Sequence, residues 1–124
     1  MRLAGALGFV LMPLAAAGCG STGHTTGGDS ARGKQLFVAK CGSCHTLADA
    51  GTQGTIGPNL DWAFRVVREQ GFAESTIRDV VRGQIAYPVQ RPATGEPGMP
   101  ANLVTGDDAD SVAAYVASVA GFSR

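Results

Sequence analysis

The chain has 124 residues, ten Lys and Arg against ten Asp and Glu, and 44% hydrophobic residues. That balance excludes the basic footprint of a nucleic-acid binder and a strongly charged docking ring. The length leaves room for one small core rather than two.

In chain order, Arg2 precedes an apolar stretch from Leu3 to Leu14, broken by Pro13. The stretch is too short to span a bilayer comfortably and reads as a secretory signal. It ends in Ala16-Ala17-Gly18-Cys19, small residues immediately before a cysteine. This resembles the lipobox of bacterial lipoproteins, although Ala16 stands where leucine is usual. The resemblance implies loss of residues 1–18 and lipidation of Cys19, anchoring the chain to the extracytoplasmic face of a bacterial membrane. The competing readings are a simple secretory signal with an incidental cysteine, or an uncleaved anchor. Residues 19–30 are rich in Gly, Ser and Thr, cannot form a core, and read as a flexible tether. His24 lies in it and reads as solvated.

Residues 31–124 read as one small all-α domain of about four helices. Ser30 is the expected cap of a first helix running toward Phe37 and Cys41. Its end carries Cys41-Gly42-Ser43-Cys44-His45, the attachment motif for covalent haem of the c type. The thiols of Cys41 and Cys44 would add across the haem vinyl groups, and the His45 imidazole would reach the iron as one axial ligand. Cysteines three apart share one side of a helical turn, so both can face one porphyrin edge. A zinc site fails on ligand count, because residues 31–124 hold no further cysteine or histidine. A thioredoxin-like dithiol would call for an α/β pattern, and long β-branched runs are missing.

A second helix is expected over Asp61 to Gln70, ended by Gly71, and a third over Ser75 to Arg82, ended by Gly83. A last helix is expected after Thr105 or Gly106, with Asp107, Asp108 and Asp110 at its positive end. It sets Val112, Tyr115, Val116 and Val119 at helical spacing. Gln84 to Val104 is rich in Gly and Pro and lacks periodicity; so long a loop makes sense if it wraps a cofactor. Within it stands Gly98-Met99-Pro100, holding the only methionine outside the signal. A thioether is a soft neutral ligand suited to low-spin haem iron, and a Gly/Pro-rich loop favours that role over core filling.

Taken in order, Cys41 to His45, Gly57-Pro58-Asn59-Leu60, Gly98-Met99-Pro100, and Gly33 and Phe37 with Tyr115 resemble the class I cytochromes c over nearly the whole domain. The resemblance implies a fold wrapped around one covalent haem c, with His45 and Met99 as axial ligands. It assigns the Pro58 carbonyl to the second nitrogen of His45, and a close contact of first and last helices to Gly33 and Tyr115. Trp62 is expected in the core, or else donating its indole N–H to a haem propionate. Arg65, Arg68, Arg78, Arg82 and Arg91 read as mostly solvated, with one available to a propionate.

The implied role is one-electron transfer by a membrane-tethered monomer that is not an enzyme, between a quinol-oxidising complex and a terminal oxidase. Two rivals are a haem enzyme or a gas or peroxide sensor with a displaceable Met99, and a fixed haem subunit of an oxidase or dehydrogenase complex.

Overall fold

The computed structural model describes residues 26–122. The expectations for the signal, Cys19, His24 and the first part of the tether lie outside the described residues. Four helices make the fold: α1 (Ser30–Lys40), α2 (Leu60–Glu69), α3 (Glu74–Ala86) and α4 (Gly106–Val119). Between α1 and α2 lies a small antiparallel hairpin of β1 (Thr46–Leu47) and β2 (Thr52–Gln53), with Thr46 opposite Gln53 and Leu47 opposite Thr52. Among the described residues no helix is long and apolar enough to cross a membrane.

The described residues begin before the expected tether ends. Asp29, not Ser30, caps α1: its carboxylate accepts from Ala31 N at 2.8 Å and Arg32 N at 3.1 Å. A carboxylate both satisfies these amides and places negative charge at the positive end of the helix, which a hydroxyl cannot match. Asp29 N donates to Ser111 Oγ at 3.0 Å, and Gly27 O accepts from Arg78 at 3.4 Å. Gly28 has φ +91°, and a Cβ there would run into the backbone of Asp110 and Ser111. Residues 27–30 are therefore docked on α3 and α4, where a free tether was expected up to residue 30.

The core is organised by α4, which buries Val112, Tyr115 and Val116 together with four alanines. Small residues let α1 cross it closely. A Cβ on Gly33 would lie 2.6 Å from the carbonyl carbon of Ser111 and 2.7 Å from Tyr115 Cβ. Beside this crossing the Phe37 and Tyr115 rings meet edge to face, centroids 6.0 Å apart. Arg82 pairs with Asp110 at 2.6 Å and Arg32 with Asp108 at 2.6 Å, fixing α3 and α1 to the same helix. At the far end, Arg68 donates to the carbonyls of Ala117 and Ala120, which lack partners within the helix.

Three further expectations change. Asn59 caps α2 by accepting from Trp62 N at 3.1 Å, so the helix opens before Asp61. The Asp61 carboxylate is instead buried and accepts from Ala48 N at 2.8 Å, holding the turn between β1 and β2. Helix α3 continues through Gly83 to Ala86, because Ile85 is 3% exposed. Burying an isoleucine contributes about 1.5–3 kcal/mol, against roughly 1 kcal/mol for a helical glycine. Trp62 is not core: it is 70% exposed, on the face of α2 opposite buried Phe64.

Candidate haem site

The five-residue motif sits where α1 runs out. Cys41 caps the helix through its N–H to Phe37 O, and the next turn closes with Cys44 N and His45 N donating to Cys41 O at 3.0 Å each. This turn holds both thiols and the imidazole on one wall of a cavity of about 750 Å³. Gly42 and Gly54 make the turn compact, since a Cβ on Gly54 would meet the backbone of Cys44 and His45 at 2.5–2.7 Å.

The His45 ring is set by two neighbours. Nδ1 lies 2.8 Å from Pro58 O, and because a carbonyl only accepts, Nδ1 carries the proton. Nε2 is thereby left as the basic nitrogen, the tautomer that metal ligation needs. Gly57 lies flat against the ring, where a Cβ would come 2.5 Å from Cε1. Gly57 N also donates to Cys44 O at 2.7 Å, so the Gly57-Pro58 strap is bonded to the motif it orients.

Met99 lines the same cavity from the loop after α3. Its N–H donates to Val89 O at 3.3 Å and its carbonyl accepts from Gln90 Nε2 at 3.2 Å. A Cβ on Gly98 would overlap the backbone of Gln90, so the loop can fold back on itself only with glycine there. Asn102 takes a left-handed φ of +55° and donates its N–H to Ile85 O at 2.8 Å, tying the loop to α3.

The cavity walls fit a large apolar planar group. Ile56, Val80, Val89 and Leu103 all line it and are 37–54% exposed, giving it the apolar surface such a group would cover. Its volume falls in the range of roughly 300–1,000 Å³ seen for small-molecule and cofactor sites. Among the described residues Lys40 is the only Lys or Arg on the lining and is the cation available to a carboxylate of the group. None of Arg65, Arg68, Arg78, Arg82 and Arg91 lines the cavity. Three of them pair instead, with Glu69, Glu74 and Asp110. Trp62 is likewise off the lining, and its exposure contradicts the core expectation; its ring packs under the Arg65 guanidinium at 5.1 Å.

Burial, with a smaller contribution from Cys44, pushes the Cys41 thiol up to about 11. Before thioether formation it is therefore a protonated thiol at neutral pH, held in an apolar wall. Behind the cavity, Tyr115 Oη donates to Asp49 Oδ2 at 2.7 Å, and Lys34 Nζ reaches the same oxygen at 3.0 Å. These contacts hold the Asp49 carboxyl below its usual range, while burial and Asp49 raise Tyr115 well above its ordinary value. Sequence reasoning missed this triad, because Lys34 of α1, Tyr115 of α4 and Asp49 of the turn between β1 and β2 are brought together only by the tertiary fold.

Comparison with known proteins agrees with this geometry. The family model "Cytochrome c" matches residues 30–120. A cytochrome c from Ulva intestinalis is 49% identical over 37 residues, 30% of this chain and 32% of the algal protein. The chain thus matches about a third of that relative's length. The crystal structure of the c-type cytochrome SorU from Sinorhizobium meliloti is similar with a TM-score of 0.55 and 31% identity, over 74% of this chain and 91% of that one. With Cys41, Cys44 and His45 on one wall and Met99 on the same lining, the chain belongs to the cytochrome c family and carries one covalently attached haem c.

Proposed function

We propose that the protein is a one-electron carrier tethered to the outer face of a bacterial membrane through Cys19, passing electrons between a quinol-oxidising complex and a terminal oxidase. The observation that carries the reading is that His45 and Met99 line one apolar cavity, so that a haem held there would have a protein ligand available from each and would need none from a substrate. Haem supplies an iron that cycles between the ferric and ferrous states. The chain's own residues do the rest. Pro58 and Gly57 fix the His45 ring, so the imidazole need not reorient between redox states. The thioether of Met99, a weak donor, would as a ligand favour the reduced state relative to a second imidazole. Phe37, Leu60, Ile85, Val112 and Val116 exclude water from the cavity, which limits solvent reorganisation.

The tether would confine the domain near its partners and raise their effective concentration. Reconstituting the purified protein into vesicles with a quinol-oxidising complex and a terminal oxidase tests the role. Electron flow should depend on the cytochrome, and Cys19→Ser should lower it by releasing the protein from the vesicles. Tight stoichiometric co-purification with one complex would instead make it a fixed subunit.

A further inference from the structure

Asp61 holds the turn after β1 by accepting from Ala48 N at 2.8 Å, a task that a neutral acceptor would perform as well. It is nonetheless a carboxylate, 6% exposed, and among the described residues it is the only charged side chain that is buried. Burying a charge costs free energy unless it is paired or bonded. Here the Ala48 N–H and the first turn of α2, whose free amides favour an anion, offset that cost. Among the described residues no lysine or arginine pairs with it.

The groups around Asp61 leave its charge uncompensated. Asp49, which shares a surface hollow with Asp61 and Ser118, is paired with Lys34 at 3.0 Å. The Tyr115 hydroxyl donates to Asp49, and burial, with Asp49 and Asp61 adding to it, raises the phenol above its ordinary value, so it stays neutral. Lys34 and Asp49 cancel, Tyr115 carries no charge, and Asp61 remains as one net negative charge. Its place in the fold is next to the haem cavity. Leu60, the residue before it, lines that cavity, as do Ala63 and Phe64 one turn on. Ala48, which it holds, stands three residues after His45.

We propose that Asp61 is a fixed anion of the haem site, its buried charge lowering the reduction potential of the iron. The inference deepens the electron-carrier reading and rests on the covalent haem, not on the tether or on either partner. Oxidation leaves the haem iron one unit more positive. A negative charge held near it in an interior of low dielectric stabilises the ferric form more than the ferrous. An exposed carboxylate has little such effect, because water and salt screen it. Burial removes Asp61 from that screening, whereas Glu69 on the same helix is 66% exposed and paired with Arg65.

Redox titration of the haem-loaded protein tests it in Asp61→Asn, with Glu69→Gln making the same change in net charge at the surface. Asparagine keeps an oxygen for the Ala48 N–H and loses the charge. The potential of Asp61→Asn should rise, so that equilibrium with a mediator of fixed potential moves several-fold toward the reduced protein, at low and at high salt. Glu69→Gln should move it little, and that shift should vanish in salt. An unchanged or lowered potential in a folded Asp61→Asn with an intact haem spectrum, or a rise matched by Glu69→Gln, would overturn the proposal. Should Asp61→Asn fail to fold or alter the spectrum, Ser118→Lys decides. Ser118 is exposed and lines the same hollow, so an ammonium there can reach Asp61 without replacing it. The potential should rise in that variant too, and an unchanged value would overturn the proposal. A wild-type haem open to carbon monoxide would count against the carrier reading while leaving the Asp61 shift readable.

Discussion

Gly33→Ala decides between two opposite expectations. In an exposed helix interior the change adds stability, roughly 1 kcal/mol from backbone propensity. Here the new Cβ would lie 2.6 Å from the Ser111 carbonyl carbon and 2.7 Å from Tyr115 Cβ, where ordinary contact needs about 3.5–4.0 Å. Ser111 contributes backbone inside α4, so it cannot turn aside. The helices must part by about 1 Å, which loosens the Phe37–Tyr115 ring contact beside the haem cavity. Overpacking of this kind costs about 1–3 kcal/mol, and a backbone obstacle places it at the upper end. After the propensity gain the net loss is about 2 kcal/mol, or roughly 8–16 °C in Tm for a domain of this size. Thermal unfolding followed by far-ultraviolet circular dichroism and by the haem band measures it. A Gly33→Ala protein as stable as wild type would show that α1 and α4 do not cross at this glycine.

Gly57→Ala should drive its Cβ into the His45 ring and raise the high-spin fraction of the oxidised haem, seen by electron paramagnetic resonance. Removing the Tyr115 hydroxyl as Phe should cost about 1 kcal/mol, below the roughly 1.5–3 kcal/mol of a bond to a charged group because Asp49 is half exposed. The pH dependence follows in sign. The Asp49 carboxyl is lower in the folded state, so its contribution is present above the unfolded value of about 4 and lost as pH falls below it. Tyr115 is raised, so its contribution is present below about 10 and lost on further alkalinisation. Tyr115→Phe should flatten both limbs of a stability-against-pH curve. Asp110→Ala, which strips Arg82 of its partner at the α3–α4 contact, should lower unfolding free energy by about 1–2 kcal/mol in urea titration, with the haem spectrum intact.

The site was more legible than the packing around it. Cys41, Cys44, His45 and Met99 are chosen by the chemistry of the haem, and rare residue types at fixed spacing survive any rearrangement of the chain. The Pro58 contact was legible only through the family resemblance, which names the acceptor that a ligating imidazole needs behind it. What failed was local competition. Asp29 and Ser30 are both good caps, and only the docking of Gly27 and Asp29 on α3 and α4 selects between them. Gly83 looked like a stop because the burial of Ile85, two residues on, cannot be seen from the local sequence. The short hairpin carries two residues per strand, too few for an alternating pattern. Trp62 was avoidable: Leu60, Phe64 and Val67 already define the inner face of α2, and position 62 falls opposite it.

The central claim is a haem closed on both faces by His45 and Met99. The visible and near-infrared spectrum of the oxidised protein tests it most directly, through the charge-transfer band of a methionine sulfur bound to ferric haem. The account predicts that the band is present in wild type and absent in Met99→Ala, and that only the variant binds carbon monoxide readily once reduced. A wild-type protein without the band, binding carbon monoxide as readily as the variant, would contradict it and turn the cavity into an open site.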